Sequence, residues 1–538
     1  MKKENKKEIL SPDEVFEKFL KWFDKRKRFA FITVIILGFI AHITMLTETI
    51  MSQDGLWNSM KYSRAGDWEL TLGRWGIVLV EILNNFIKIP TIATISCIIT
   101  MAIAAIFLVE VFDLKSKISI LVTSAILVLT PTFTATVLYV YTSFAYCFNF
   151  LLAILAIWFL YNYKNKKLGF LLSSLCIMFS FSIYQSYIGV TIGLCLMIGI
   201  INTLKEKSNI KQVLFEILRT AGAVIVGGIL YFIITMILLK ISGFELATYK
   251  AVNTVGILDI FSNLKDSIIQ AYKDFGIFFM GDSVVYNANY KRDVMYFVFF
   301  ALFAILLLIK ILKIEDDKKN KICKILLVGV SIVVLPLALN IVDILAPKTK
   351  IYILTATQMI LMIPFTFAIM EMIEKKYILK YASILCTVII MGTYYLATNT
   401  SYSALKITYN QAYATTVRIM DRIENTPGYN KDLKILFGGI VGNNNFPRTS
   451  NLYGFTIGEI ANNVVFHGTY GGQLGTWENY LKVFLGLDVT FCEDNVYRDI
   501  VTGKIYKEEM DVFPAANSIR IMDGIVVVKL SEDPPLPF

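Results

Sequence analysis

The sequence predicts a polytopic α-helical membrane protein that ends in a small α/β domain outside the membrane. Hydrophobic residues make up 56% of the 538 positions, and the mean hydropathy of +0.61 is far above that of a soluble chain of this size. Apolar runs of about 20 residues, long enough to cross a hydrocarbon core of ~30 Å as a helix, recur between residues 29 and 397. From residue 398 the sequence becomes polar and mixed, which favours a folded soluble domain.

The apolar runs give about eleven candidate spans. They cover residues 29–50, 89–111, 118–133, 137–161, 168–182, 185–202, 219–240, 293–312, 322–345, 351–372 and 377–397. Basic residues occupy the leader and every second connection, which places these segments in the cytoplasm. An odd number of spans then places the C-terminus outside. The short runs 118–133 and 168–182 are also compatible with re-entrant hairpins, which would leave the assigned sides unchanged.

This topology divides the chain into three regions. Residues 1–28 form a cytoplasmic, basic, amphipathic segment, in which a capping box at Ser11-Pro12-Asp13-Glu14 starts an interfacial helix; a solvated tail is the alternative. Residues 29–397 form the transmembrane bundle, with outer loops 49–88 and 242–292 and an interfacial helix at 257–279. Residues 398–538 form the extracytoplasmic α/β domain, with predicted helices at 409–423 and 477–485 and predicted strands at 433–437 and 525–530.

Charge, cysteine and histidine patterns argue against two other classes of function. The net charge of +10 comes from short Lys runs between apolar stretches, so no nucleic-acid partner is predicted. The seven cysteines and two histidines lack metal-ligand spacing, which predicts neither a zinc site nor a disulfide framework. His42 lies inside the first span, where a histidine packed against neighbouring helices is the favoured interpretation.

The first outer loop carries the residues with the clearest chemical potential. Its acids, cations and aromatics are Glu48, Asp54, Lys61, Arg64, Asp67, Trp68, Arg74 and Trp75. A carboxylate at the membrane surface can accept a proton, and Trp can stack on a sugar face or anchor in the lipid headgroups. An aromatic belt with solvated charges is the alternative interpretation. No cofactor is predicted, although such acids offer the oxygen ligands that Mg²⁺ or Mn²⁺ prefers.

Five short motifs resemble the GtrII-type glucosyltransferases, which belong to the multi-span GT-C glycosyltransferases. In chain order they are Asp54-Gly55, Gly73-Arg74-Trp75-Gly76, the outer turn Ser182-Ile183-Tyr184-Gln185-Ser186-Tyr187, and the terminal stretches from Phe513 to Ile519 and from Asp523 to Leu530. The order of the motifs and their predicted outer location carry more weight than any single one. The resemblance covers nearly the whole chain and implies a GT-C-like bundle.

The resemblance also implies an activity and a set of partners. The reaction would move a sugar, glucose by the family name alone, from an undecaprenyl-phosphate-type donor to a cell-surface polysaccharide or wall polymer, such as O-antigen or teichoic acid. The implied location is the plasma membrane, with the chemistry on its outer face. The implied partners are the lipid-linked donor, the glycan acceptor, the bilayer, and a donor-sugar synthase and a flippase of the same pathway.

Residue roles follow from the resemblance and from the chemistry of glycosyl transfer. Family members place an essential acid in the first outer loop, a position that falls on Asp54, with Glu48 as the substitute. A single carboxylate base suits an inverting displacement, and a leaving lipid phosphate needs cations. Arg74 is favoured for that phosphate over Arg64 and Lys61, with snorkelling to headgroups as its alternative role. The expected substrate-binding residues are Asp67, Trp68, Trp75, Tyr184, Gln185 and Tyr187.

Two other interpretations remain open at the level of sequence. If residues 48 to 54 continued the first helix, six residues would turn it by about 240°, so Glu48 and Asp54 would face different sides. A multi-span transporter of lipids or solutes is the alternative function. A transporter would carry ionisable residues near the bilayer midplane and repeated halves, whereas the acids here collect at the predicted outer interface and no repeat is evident.

Overall fold

The computed structural model describes residues 11–59, 66–84, 86–206, 208–247, 257–281, 290–347, 353–439, 475–534 and 536. Within these residues the chain is mainly helical, with one small sheet near its end. The helices up to residue 204 are α1 (Pro12–Trp22), α2 (Lys25–Ala41), α3 (Ile43–Thr47), α4 (Gln53–Trp57), α5 (Asp67–Thr71), α6 (Gly76–Ile82), α7 (Pro90–Val111), α8 (Lys117–Leu129), α9 (Pro131–Leu138), α10 (Ser143–Tyr161), α11 (Lys166–Ile183) and α12 (Ile188–Leu204).

The second part of the chain contributes the longest helices and the strands. Its helices are α13 (Ile210–Ser242), α14 (Ile257–Phe279), α15 (Tyr290–Leu312), α16 (Lys318–Leu339), α17 (Ile341–Leu345), α18 (Met362–Glu371), α19 (Tyr377–Glu424), α20 (Gly475–Tyr480) and α21 (Asp494–Thr502). The strands are β1 (Lys434–Gly438), β2 (Ile519–Met522) and β3 (Ile525–Lys529). Short 3₁₀ turns at Gln185–Tyr187 and Thr357–Leu361 lead into α12 and α18.

Membrane-spanning character is clear for most of the predicted spans. In the described part of the chain, eight helices are long and apolar enough to cross a bilayer, or nine if the bent pair α8 and α9 forms one span. That pair bends by 40° at Pro131, which has no N–H to donate and therefore suits the first turn of a new helix. The first and tenth predicted spans coincide with shorter helices, α2 and the segment Thr357–Glu371. The protein is therefore a membrane-embedded helical bundle.

The N-terminal helix forms as its capping sequence predicts. The Ser11 side chain accepts a hydrogen bond from the Glu14 backbone N–H (3.2 Å), and the Glu14 carboxylate accepts one from the Ser11 N–H (2.8 Å). One face of α1 exposes Val15, Phe16 and Phe19. This amphipathic helix leads directly into α2 through the cap residue Asp24.

A buried ion pair fixes the end of the bundle that the basic residues predict to be cytoplasmic. The Lys27 ammonium lies 2.7 Å from the Glu110 carboxylate, which also accepts a hydrogen bond from Trp158 Nε1 (2.7 Å). Lys27 is only 4% exposed, so its charge has a partner inside the bundle instead of in water. Glu110 thus joins α2, α7 and α10 at one end, away from the first outer loop.

The C-terminal sheet has the order β1-β3-β2. β1 pairs with β3 in parallel, with Ile435 opposite Val526, and β2 pairs with β3 antiparallel. Helix and strand formation at 433–437, 477–485 and 525–530 agrees with the sequence prediction to within a few residues. Residues 409–423, by contrast, are the end of α19 and not a separate helix, because that helix continues unbroken from residue 377 to residue 424 across the predicted boundary at 397.

Candidate functional site

The segment that carries Glu48 and Asp54 is interrupted, so the first helix does not continue to Asp54. α3 ends at Thr47, residues 48–52 are not helical, and α4 begins at Gln53. Ser52 starts α4, because its hydroxyl accepts a hydrogen bond from the Gly55 N–H at 3.3 Å. Its own N–H donates to the Leu138 carbonyl at 2.9 Å. The five-residue helix is therefore anchored to the end of α9.

Contacts from the C-terminal part of the chain fix both ends of α4. The Tyr409 hydroxyl donates to the Met51 carbonyl (3.1 Å) just before the helix. The Asn479 side-chain amide donates to the Leu56 and Trp57 carbonyls at 3.0 and 2.6 Å, which are end carbonyls without a partner inside so short a helix. Asp54 is exposed on α4. Its carboxylate therefore lies on a short helix whose two ends are fixed by hydrogen bonds.

Arg74 is positioned by a glycine that no other residue can replace without strain. Gly73 has a φ of +69°, and a Cβ there would lie 2.3 Å from the Tyr231 hydroxyl. The half-buried Arg74 guanidinium lies 4.6 Å from the centre of the Tyr184 ring, and this ring stacks on Tyr146 with centroids 5.0 Å apart. A cation over an aromatic face is electrostatically favourable. We call Asp54, Glu69, Arg74, Tyr141, Tyr146 and Tyr184 the Arg74 cluster.

Electrostatics ties the acids of the first outer loop to Arg74. Tyr141 lies in the connection between α9 and α10. Burial raises the pKa of Tyr141 well above its usual value. The neighbouring Tyr146 and the negative charges of Asp54 and Glu69 raise this pKa further, whereas the positive charge of Arg74 lowers it. Asp54, Glu69 and Arg74 therefore all lie close enough to Tyr141 to act on its hydroxyl electrostatically.

A buried ion pair supports the connection that carries Tyr141. Lys88 pairs with Glu81, and its ammonium also donates to the Tyr141 carbonyl at 2.8 Å. Their side chains are only 7% and 3% exposed. Burial lowers the pKa of Lys88, and the opposing effect of Glu81 favours its charged form. The pair fastens the end of the first outer loop to the turn between α9 and α10.

Two of the predicted substrate-binding residues, Gln185 and Trp75, hold the loop to the bundle, and a third, Tyr187, is buried. Gln185 Nε2 donates to the Leu72 carbonyl (3.3 Å) and to the Tyr231 hydroxyl (2.9 Å). Trp75 Nε1 donates to Thr235 Oγ1 (3.0 Å), and Tyr187 is 3% exposed. These contacts give Trp75, Gln185 and Tyr187 packing partners inside the protein, whereas the Tyr184 ring faces Arg74.

The remaining predicted residues are spread around the cluster. The Glu48 carboxylate pairs with Lys406 of α19, so this acid joins the first outer loop to the last long helix. Asp67 and Trp68 are exposed in the first turn of α5. Lys61 and Arg64 lie outside the described residues. In the described part of the chain, no group of three or more His, Cys, Asp or Glu side chains could hold a metal ion.

Sequence reasoning missed Glu69, Tyr141, Tyr146 and Lys88 as members or supports of this site. Glu69 caps α5, where its carboxylate accepts a hydrogen bond from the Gly66 N–H at 2.7 Å. Pro131 was a signal for the position of Tyr141. A proline favours the first turn of a helix, so it predicts that a new short helix starts at residue 131 and that a connection follows it. The predicted span 137–161 instead ran through this connection.

Fold and site together define a membrane-embedded helical bundle with acids, an arginine and stacked tyrosines gathered at one end. Residues 57–365 match the family described as Glucosyl transferase GtrII. This match covers more than half of the chain, so the protein belongs to the GtrII glucosyltransferase family, which confirms the predicted family. No curated protein and no solved structure matches the chain.

The matched range shows which parts of the site fall within the family model. It contains Arg74 and the turn from Tyr184 to Tyr187, and it begins three residues after Asp54. The terminal stretch 513–530, which also resembles the family, lies outside the match. The protein is a glucosyltransferase of the membrane.

Proposed function

We propose that the protein transfers glucose from a polyprenyl-phosphate donor to a cell-surface polysaccharide or wall polymer on the outer face of the plasma membrane. The observations that carry the proposal are the exposed carboxylate of Asp54 on a helix held at both ends and the guanidinium of Arg74 held 4.6 Å from the centre of the Tyr184 ring. One is a base and the other a cation, which are the two groups that displacement of a lipid phosphate by a hydroxyl requires. The donor would be supplied by a synthase and a flippase of the same pathway.

Asp54 is the proposed general base. An acceptor hydroxyl attacks the anomeric carbon, the bond from that carbon to the phosphate oxygen breaks, and the hydroxyl proton passes to the Asp54 carboxylate. A single displacement of this kind inverts the anomeric configuration. The exposed position of Asp54 on α4 leaves the carboxylate accessible to an acceptor, and the contacts at both ends of α4 hold it in a fixed place.

Arg74 is the proposed partner of the leaving phosphate. The guanidinium is planar, permanently charged and able to hold two phosphate oxygens at once. Its position over the Tyr184 ring orients that plane before substrate arrives, so little reorganisation accompanies charge development. Trp68, exposed beside the cluster, is the proposed surface for stacking a sugar ring.

The test is transfer by the purified protein in proteoliposomes that contain polyprenyl-phosphate glucose. We expect glucose to appear on a wall-polymer or O-antigen acceptor, and Arg74→Gln to lower the rate about 100-fold, as loss of a charge-stabilising donor does elsewhere. Arg418→Gln is the matched control, because Arg418 also lies over an aromatic ring, Phe513, at 5.5 Å. Movement of the intact donor across the membrane without glucose transfer would overturn the proposal in favour of a transporter.

A further inference from the structure

A pair of acids lies where α14 packs on the short helix α17, apart from the Arg74 cluster. The carboxyl groups of Asp274 and Asp343 are close enough to interact directly. Asp343 is 4% exposed and Asp274 is half-buried. Among the described residues, neither forms an ion pair with a lysine or arginine. Two carboxylates thus face each other with no cationic side chain between them.

Three side-chain oxygen atoms between these helices lack hydrogen-bond donors among the described residues. Asp274 Oδ1 accepts from Gln270 Nε2 at 2.8 Å, which fixes the orientation of that carboxylate. Asn340, one turn before Asp343, donates through Nδ2 to the Ala271 carbonyl of α14 at 2.8 Å. Its Oδ1 and the Oδ2 atoms of both acids are buried without a donor among the described residues. Asn340 is 1% exposed, so its oxygen is cut off from solvent.

Two buried carboxylates that face each other are energetically costly. Asp343 is almost fully buried, and the negative charges of two adjacent carboxylates repel each other strongly when removed from water. A buried polar atom without a partner costs about 1–3 kcal/mol, and more when it is charged. A cation between the two carboxylates would neutralise their repulsion, and the buried oxygen of Asn340, one turn before Asp343, would offer it a further ligand.

We propose that Asp274, Asp343 and Asn340 bind one hard divalent cation, Mg²⁺ or Ca²⁺, and that this cation fastens α14 to α17. Carboxylate and amide oxygens are the ligands that these ions prefer, with water completing the coordination. Gln270 would act as the outer support that orients a ligating carboxylate. The half-buried side of Asp274 gives the ion a route from the surface. None of these residues takes part in the proposed glucosyl transfer.

The test measures cation binding and stability in the full-length protein in detergent. Mg²⁺, Ca²⁺ and Mn²⁺ are added singly after EDTA treatment, and Mn²⁺ binding is followed by electron paramagnetic resonance. We expect one Mn²⁺ per chain and a rise in Tm of about 2–4 °C with the preferred ion. Asp343→Asn and Asp274→Asn should lose both effects. Asp266→Asn, an exposed acid on the same helix, should retain them.

The variants also distinguish a lost site from a damaged fold. In EDTA at pH 8, Asp343→Asn should have a higher Tm than the wild type, because an amide facing Asp274 removes the repulsion and supplies a donor. A fold defect would lower it instead. Equal cation effects in wild type and Asp343→Asn would overturn the proposal. So would stabilisation on acidification to pH 5 with no response to any cation, because a proton would then hold the pair.

Discussion

Two groups of spanning helices differ sharply in how much of their surface is covered by protein. In α7, α10, α11 and α12, between 50 and 83% of the residues in the most apolar stretch are buried inside the protein. In α13, α15 and α16 the share is only 22 to 33%. We call these sets the packed group and the open group. The apolar side chains of the packed group therefore face mainly other helices, whereas those of the open group are left to contact lipid.

The packed group makes close contacts through small residues. A Cβ on Gly169 would lie 2.4 Å from the Phe159 carbonyl, and one on Gly189 would lie 2.6 Å from the Leu339 carbonyl. Such residues let helix backbones approach closely where no hydrophobic effect drives association. The Arg74 cluster lies against this group through Tyr146 and Tyr184, so the polar site rests on the rigid part of the molecule. The open group offers apolar faces for the bilayer and for the lipid chain of the proposed donor.

The largest expected effect concerns the negative charge of Asp54, in the cluster that lies against the packed group. Asp54→Asn should lower the rate of glucose transfer by about 10²–10⁴-fold, because an amide cannot accept the acceptor's proton. Expression and membrane insertion should be unchanged, since Asp54 is exposed. Asp432→Asn, at an exposed acid just before β1, is the control and should retain activity. Wild-type rates in Asp54→Asn would rule out this base.

The next effect in size tests the buried ion pair beside the packed group. Lys88→Met leaves the Glu81 carboxylate buried without its cation and should destabilise the protein by about 3–5 kcal/mol. Unfolding followed by circular dichroism in increasing denaturant measures this change. Lys504→Met removes an ion pair whose two side chains are well exposed and should leave stability unchanged. Equal effects of the two substitutions would contradict the view that burial makes the Lys88 pair different.

A pair of glycine substitutions compares a contact with the packed group, made by Gly76 of α6, with a position in the open group. A Cβ on Gly76 would lie 2.1 Å from Ser182 Oγ of α11 and 3.0 Å from its backbone, so Gly76→Ala should cost about 1–3 kcal/mol through overpacking. Gly329 of α16 has open space around it, so Gly329→Ala should be neutral or stabilise the helix by up to about 1 kcal/mol. Thermal unfolding of both variants in detergent tests the sign. A destabilised Gly329→Ala would show that an unseen partner covers the open group.

The smallest expected effect asks whether the C-terminal segment helps to position Asp54. Asn479→Ala removes two hydrogen bonds to the end of α4 and should lower kcat about 10-fold, which corresponds to about 0.7 kcal/mol for each bond. The KM for the donor should stay unchanged, because no donor contact is lost. Asn425→Ala, at the exposed end of α19, is the control. A change confined to KM would place Asn479 in substrate binding instead.

Local sequence signals predicted much of the fold. Apolar runs long enough for a bilayer located the spans, and the capping box located the start of α1, because both depend on residues close in sequence. The grouping of Arg74 with Tyr184 was partly predicted, since both carry motifs of the family. The bond between Asn479 and Trp57 joins residues 422 positions apart, and no local pattern contains that information. Likewise, nothing near Trp75 in sequence indicates its bond to Thr235.

The sequence did not predict how much of each spanning helix is covered by other helices, because hydropathy alone does not report it. The mean hydropathy of α7 in the packed group, 2.6, lies within the range of 2.5–2.7 found for α13, α15 and α16, yet 67% of its most apolar stretch is buried against 22 to 33% of theirs. Hydropathy reports transfer out of water and does not distinguish a lipid neighbour from a helix neighbour. The side of each helix that faces protein is decided by long-range packing, which a single sequence does not display.

The 48 residues of α19 have a mechanical consequence. At 1.5 Å per residue the helix is about 70 Å long, more than twice the ~30 Å hydrocarbon core. Its far half carries Lys406, Tyr409 and Thr416, which contact Glu48, Met51 and Trp477. The C-terminal segment is thus joined to the last span by a continuous helix and not by a flexible linker. Any tilt of the last span would therefore also move α4, the helix that carries Asp54.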